Sequence, residues 1–407
     1  MNILLVSDSY PPEIRSAAHL MLELAEELSN RGHEITVVTT YPEYNLDKYS
    51  KQAKLHKVTV EKNHIKVVRL KTLPHHNVNY VVRGVSQLLM PIQFILNIVF
   101  YRLRADIVIV YSPPLPLSRV GVWLKRFGYV KKFLLNVQDI FPQNAIDLGI
   151  LKSRLLIKFF QRMEATAYKG ADVITLHSDG NRDFLIKAFP AVSQKSFVLH
   201  NWVDVSSFDT SLNSNRLNYR EKWGLGDKTV FLFAGVMGPS QNLGLIIRIA
   251  ERLKRRSDVL FLFVGGGAEK EKLIYDASSR GLRNVIFKGF VSRDIYPELL
   301  RSVSVGIVSL SPANKTPVVP GKILGYMAAA IPVIAFLNAE SDGHKILKKA
   351  EAGLSADSND FHQCLRITEE MIRDKSALDK FGKSGHKYAL DHFSKHSCMS
   401  DLERLLR

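Results

Sequence analysis

Short runs of β-branched and apolar residues punctuate the first half of the chain at 2–7, 34–40, 65–70, 106–111, 132–137, 172–177 and 196–200. Helical stretches separate them, and that alternation predicts a parallel sheet covered on both faces. Between the first two runs, Ala17, Leu20, Met21, Leu24, Ala25 and Leu28 recur at helical spacing, and Gly32 follows where a left-handed cap belongs. A polar stretch at 205–228 lacks apolar periodicity and reads as a linker. A second series follows at 229–234, 258–264, 284–288, 303–310 and 332–336, interleaved with helical patterns at 241–256, 268–280, 294–301, 321–330 and 341–350. Helical sequence fills most of 359–407. The expected fold class is α/β, with two Rossmann-like, doubly wound domains and a cleft between them.

A length of 407 residues agrees with two domains of roughly 200 residues each. The two cysteines, Cys364 and Cys398, lie far apart without metal-ligand spacing, so neither a disulfide framework nor a zinc site is expected. The opening MNILLVSDSY has no basic segment or cleavage site of a secretory signal, which leads to the expectation of a cytoplasmic protein.

A formal net charge of +17 points to an anionic partner. Lys48, Lys51, Lys54, Lys57, Lys62, Lys66, Arg69 and Lys71 cluster against the single acid Glu61, as on a protein that meets an anionic membrane. The uncharged segment 84–101 follows, with Pro91 in its middle and Arg83, Arg102 and Arg104 at its flanks. Gln87, Gln93, Asn97 and Pro91 argue against a spanning helix, leaving an interfacial helix or an ordinary buried one. Nucleic acid is the other anionic partner that the charge suggests, but no zinc-finger spacing, RNP-type sequence or helix-turn-helix context accompanies it.

Three turns follow strands of the second series, where backbone N–H groups at strand and helix ends can meet anions. They are Gly235-Val236-Met237-Gly238-Pro239-Ser240, Gly265-Gly266-Gly267, and Thr316-Pro317-Val318-Val319-Pro320-Gly321-Lys322. None matches the dinucleotide or P-loop pattern, so each alone is weak. Following strands of one sheet, their tips are expected to converge on one edge. Lys322 in the first turn of a helix is unfavourable unless an anion is near.

The opening NILLVSDSYPPEIRSAAH, RGHEITVVTTYPEY, NVQDIFPQNAIDLG, HNWVD at 200–204, FVGGGAEKEKL, NVIFKGF and VPGKILGYMAAAIPVIAF together resemble the family 4 retaining glycosyltransferases of the GT-B fold. Within them the chain is similar to the O-antigen and colanic-acid branch typified by L-fucosamine transferases, over nearly its whole length. The resemblance implies an acceptor-binding domain at 1–204, a nucleotide-sugar domain at 205–390, and a terminal helix at 391–407 returning to the first domain. It implies donor contacts from Gly235, Gly238, Phe290, Val291, Pro320, Gly321 and Lys322, to which the glycine turn after the second strand of that series adds Gly265 and Gly266; acceptor-side positions are expected at Gln138 and Asn201 and, from the first βα turn, at Arg15, Ser16 and His19, the last of which could instead be a surface or packing residue. Asp139, beside Gln138 at the position of the family's active-site histidine, and Lys322 are the expected catalytic pair; Asp139 could instead cap a helix.

The expected reaction moves a sugar with retention, and without metal or cofactor, from a UDP-sugar to a polyprenyl-diphosphate-linked acceptor at the inner face of the cytoplasmic membrane. An N-acetylamino sugar such as N-acetyl-L-fucosamine is the implied donor, and surface polysaccharide (O-antigen or capsule) the implied product. Several family positions differ here: Val236 and Gln241 or Asn242 replace the cations of the diphosphate turn, and Pro317 and Gly325 replace a pair of glutamates. Two alternatives are a UDP-sugar epimerase of similar architecture and a catalytically weak scaffold of a polysaccharide assembly complex.

Overall fold

The computed structural model describes residues 1–43, 46, 56–76, 78–208, 218–292 and 295–407, so Lys48, Lys51 and Lys54 of the basic stretch lie outside the described residues. Two compact units form, one from Met1–Asn201 with Cys398–Arg407, the other from Trp202–Ser397.

The first unit runs β1 (Asn2–Val6), α1 (Ser16–Asn30), β2 (Glu34–Thr40), β3 (Val58–Val60), β4 (Lys66–Leu70), α2 (Tyr80–Phe100), β5 (Ile107–Ser112), α3 (Ser118–Arg126), β6 (Lys132–Val137), α4 (Gln143–Asp147), α5 (Arg154–Gly170), β7 (Val173–Leu176), α6 (Asp179–Ala188) and β8 (Ser196–Val198). Its sheet has the order β3-β4-β2-β1-β5-β6-β7-β8. Among the described residues only β3 is antiparallel to its neighbour. The expected strands all form because β-branched side chains buried on both faces suit a parallel sheet. β3 was not foreseen, being three residues inside the basic stretch. Strand order reverses between β1 and β5, the switch point at whose carboxyl ends ligands bind in sheets of this kind.

α2 packs one face on this sheet: Met90, Phe94 and Ile98 are fully buried. That face is core, although the helix is long and apolar enough to cross a membrane by length and composition. Arg69 leaves the basic surface stretch too, since it is buried and its guanidinium donates to Glu61 (2.6 Å), Thr59 and the Pro11 carbonyl.

The second unit runs α7 (Tyr219–Lys222), β9 (Thr229–Val236), α8 (Gly244–Arg252), β10 (Val259–Gly266), α9 (Lys270–Ser279), β11 (Val285–Lys288), α10 (Tyr296–Arg301), β12 (Val305–Ser309), α11 (Gly321–Ala328), β13 (Val333–Leu337), α12 (Gly343–Ala350), β14 (Gly353–Asp357), α13 (Phe361–Arg373) and α14 (Lys375–Phe393). α15 (Lys395–Leu406) follows, and from Cys398 onward it belongs to the first unit. There Lys132 Nζ donates to the Leu405 carbonyl (2.7 Å) and Glu403 pairs with Arg31 and His33. All strands of the second sheet are parallel, in the order β11-β10-β9-β12-β13-β14, with the reversal between β9 and β12.

Alternate residues of β9 and β10 feed two cores. Leu232 and Leu262 face one, while Phe231, Phe233, Phe261 and Phe263 face the other. The supposed linker is partly structural, because Val205, Tyr219 and Leu225 are buried in the second unit. Single apolar anchors in a polar stretch leave no periodic trace in sequence. The helix expected from 241 starts only at Gly244, because Asn242 is left-handed (φ 47°) and interrupts the backbone between turn and helix.

Candidate functional site

The carboxyl ends of β9 and β12 flank the topological switch of the second unit, and the first and third suspected turns lie there. They are joined directly: the Ser311 N–H donates to the Ser240 carbonyl at 2.8 Å. The loop into α11 is held from behind, where Asn338 Nδ2 donates to the Thr316 carbonyl and Ser341 Oγ to the Val318 carbonyl (2.6 Å). α11 is docked by Tyr326, whose hydroxyl donates to the Leu232 carbonyl (3.1 Å) and whose ring lies where a side chain at position 306 would clash. Gly306 is what admits that ring.

Lys322 shares the inward face of α11 with Tyr326, one turn before it. Its Nζ sits 5.0 Å from the Phe233 ring and has no carboxylate partner among the described residues. Burial pushes its pKa down to about 8. Gly235, at φ 137°, makes the space, since a Cβ there would come within 3.0 Å of Lys322 Cε. A desolvated ammonium at a helix N-terminus has two unfavourable fields to bear, and an anion relieves both. Pro320 caps α11, and Gly321 is its exposed first residue.

Other expected donor positions have a packing reason. Gly265 (φ 138°) abuts the Gly235 carbonyl, 2.0 Å from where its Cβ would be, and Gly267 abuts the backbone of Met237. The triplet therefore lets two strand ends approach closely. Gly266 faces the half-exposed ring of Phe290, and Val291 packs against the core of the unit. The Gly238 N–H donates to Gln241 Oε1 at 3.2 Å.

In the first unit, polar residues line the carboxyl edge of the sheet. Asn201 donates to Gln138 Oε1 (2.7 Å), Gln138 to Asn136 Oδ1 (2.9 Å) and Asn136 to Thr175 Oγ1 (3.0 Å). Asp139 follows Gln138, and burial raises its pKa. It caps no helix: α4 starts at Gln143 with Pro142 at its N-cap, and no hydrogen bond or ion pair engages the Asp139 carboxylate among the described residues. Tyr111 is buried near Asp139 and Asp8; burial, and then those two charges, raise its pKa.

Arg15 Nη1 lies 3.1 Å from His76 Nε2, 3.8 Å from Asp8 and 3.7 Å from Glu13. Ser16 is exposed at the start of α1, and His19 is half-buried one turn on. Asp8, His75 and His76 were not anticipated. They follow β1 and β4 and offer donor atoms within 4.8 Å of one another. His75 Nδ1 faces the Leu73 carbonyl (3.2 Å), while His75 Nε2 and Asp8 Oδ1 are buried without a hydrogen-bond partner. A metal could use such a set, but the Arg15 guanidinium already supplies a cation to it. Burial and then Arg15 push the His76 pKa down to about 3, so that ring is neutral. The two partnerless atoms suit the hydroxyls of a bound polyol. The adjacent histidines in the loop after β4 were the available signal in sequence.

The family described as Glycosyltransferase Family 4 matches residues 17–207, and that described as Glycosyl transferases group 1 matches residues 215–388. The chain is 25% identical over 342 residues to WcaI of Escherichia coli (strain K12), assigned by name to colanic acid biosynthesis as a glycosyl transferase, with 81% of each chain covered. It is 24% identical over 310 residues to WbjE of Pseudomonas aeruginosa, named as a glycosyltransferase, covering 75% of this chain and 76% of that one. Among solved structures, Anabaena HepE in complex with UDP superposes with a TM-score of 0.74 at 16% identity, covering 100% of this chain and 99% of that one. WaaG, a glycosyltransferase involved in lipopolysaccharide biosynthesis, gives a TM-score of 0.70 at 15% identity, with 99% of each covered.

Proposed function

This chain belongs to the family 4 glycosyltransferases, with a group 1 C-terminal half and the GT-B fold, and we propose that it transfers an N-acetylamino sugar from a UDP-sugar to a lipid-linked saccharide. The observation that carries this is the isolated ammonium of Lys322 at the switch point of the second sheet, between the Gly235 turn and the start of α11. A departing nucleoside diphosphate is the anion that such a place stabilises. The likeness to HepE bound to UDP supports uridine as the base, and the names of WcaI and WaaG support surface polysaccharide as the product. N-acetyl-L-fucosamine is the sugar favoured by the branch that the sequence resembles.

In the proposed reaction the acceptor oxygen bonds to the anomeric carbon as the bond from that carbon to the diphosphate oxygen breaks, and the electron pair leaves with UDP. Attack from the leaving-group face retains configuration. Asp139 takes the hydroxyl proton, and Arg15, Asp8, His75 and the Gln138–Asn201 pair hold the acceptor. Lys322, the α11 N-terminus and backbone N–H groups carry the leaving group's charge, so no metal or cofactor is needed for departure. The acceptor is a polyprenyl diphosphate at the inner face of the cytoplasmic membrane, with the exposed apolar face of α2 toward that surface and no nucleic acid as partner.

Nucleotide preference tests the donor assignment. UDP is expected to raise the thermal midpoint of the protein by several degrees at saturating concentration, and GDP and ADP by less. Equal shifts with all three, or none, would remove UDP from the account.

A further inference from the structure

The first unit has an apolar groove outside its polar edge. α2, α3 and α5 enclose a cavity of about 530 Å³, within the range of roughly 300–1,000 Å³ for ligand pockets. Its walls include Leu88, Ile92 and Ile95 of α2, Val122 and Trp123 of α3, and Phe159 of α5. The mouth opens among exposed apolar side chains. Along α2, Val81, Val85, Leu89, Ile92, Leu96 and Phe100 form a stripe at helical spacing, exposed at 41–76%. Leu155 and Leu156 are also exposed, at the start of α5. A water-facing stripe of this length on a helix whose other face is core calls for an apolar partner.

Charge narrows the choice. Arg119, Arg126 and Arg162 line the groove, are exposed, and have no carboxylate partner among the described residues. The three helices carry one acid, Glu164, which is buried and bonded to the Tyr168 hydroxyl. An occupant that is apolar along its length and anionic at its end complements both features.

We propose that the groove between α2, α3 and α5 holds one acyl chain of an anionic phospholipid, with the lipid phosphate on Arg119, Arg126 and Arg162. This rests on the membrane-facing orientation proposed for the first unit. The bilayer is the source because Ile92 belongs both to the groove wall and to the exposed stripe, so a chain enters from the hydrocarbon that the stripe would meet.

Trp123 in the wall provides the readout. The full-length protein is expected to sediment with phosphatidylcholine vesicles containing phosphatidylglycerol, and phosphatidylglycerol brominated on its acyl chains should quench tryptophan emission. Trp123→Phe should lose that quenching while still sedimenting. Replacing Arg119 and Arg162 together by alanine should weaken partitioning on the order of 10-fold or more, at a few-fold per cation, and provides a second variant should Trp123→Phe not fold. Vesicle binding with equal quenching in wild type and Trp123→Phe would overturn the groove assignment and leave the membrane-facing orientation standing. Quenching by a brominated polyprenyl diphosphate but not by the phospholipid would also overturn it, giving the groove to the acceptor. Absence of vesicle binding, with sugar transfer to a water-soluble acceptor intact, would overturn the orientation as well.

Discussion

Lys322→Ala is expected to lower kcat by about 10²–10³-fold, the usual cost of removing one preorganised donor from a developing oxyanion. The fold should survive, because the lysine has no ion pair to lose among the described residues. Its pKa of about 8 also sets a pH dependence. Below that value the free enzyme carries the ammonium, and above it the charge is lost, so kcat/KM for the donor should fall as pH rises through about 8. The variant should lack this alkaline limb. The stability sign runs the other way: a lysine depressed from its ordinary 10.5 favours unfolding below about pH 8, and that penalty is relieved as pH rises toward 10.5. A bound diphosphate offsets the same penalty, which ties stability to the donor. Steady-state rates across pH, with thermal unfolding of both proteins, check the whole set.

The second large effect is expected at Asp139. Asp139→Asn preserves shape and removes the proton acceptor, so kcat at saturating donor should drop about 10²-fold or more. Burial raises the carboxyl above its ordinary range, so wild-type kcat should lose activity on the acid side earlier than an exposed aspartate would dictate. The asparagine variant should show no such limb, and UDP should still shift its thermal midpoint. An unchanged kcat would take Asp139 out of the chemistry.

How far the sequence could be read follows from the reach of each signal. Strands of the two sheets were legible because residues buried on both faces leave continuous β-branched runs. β3, with only Val58 and Val60 around Thr59, and β14, with Gly353 and Ser355 between its few apolar residues, had no such run. Lys322 was legible since a lysine just inside a helix start breaks a local electrostatic rule. The Gly265–Gly267 triplet is legible as close approach of backbone, and the structure supplies a packing partner at Gly265 and Gly267, the Gly235 and Met237 chain. Asp8 and His75 come together only through the sheet order, with β2 between β1 and β4, which local spacing does not encode. The 84–101 segment reads equally as a core or an interfacial helix because periodicity does not show what each face meets: Met90, Phe94 and Ile98 are buried, whereas Val85, Leu89, Ile92, Leu96, Val99 and Phe100 are exposed.

The most direct test is a transfer assay with the purified protein, a UDP-N-acetylamino sugar and a polyprenyl-diphosphate-linked saccharide, with chelator present and products resolved by mass and anomeric configuration. UDP is expected to be released in equal amount to a lipid-linked product one sugar longer, with the donor's anomeric configuration retained. Conversion of the UDP-sugar to an isomer without acceptor, or an inverted linkage, would contradict it.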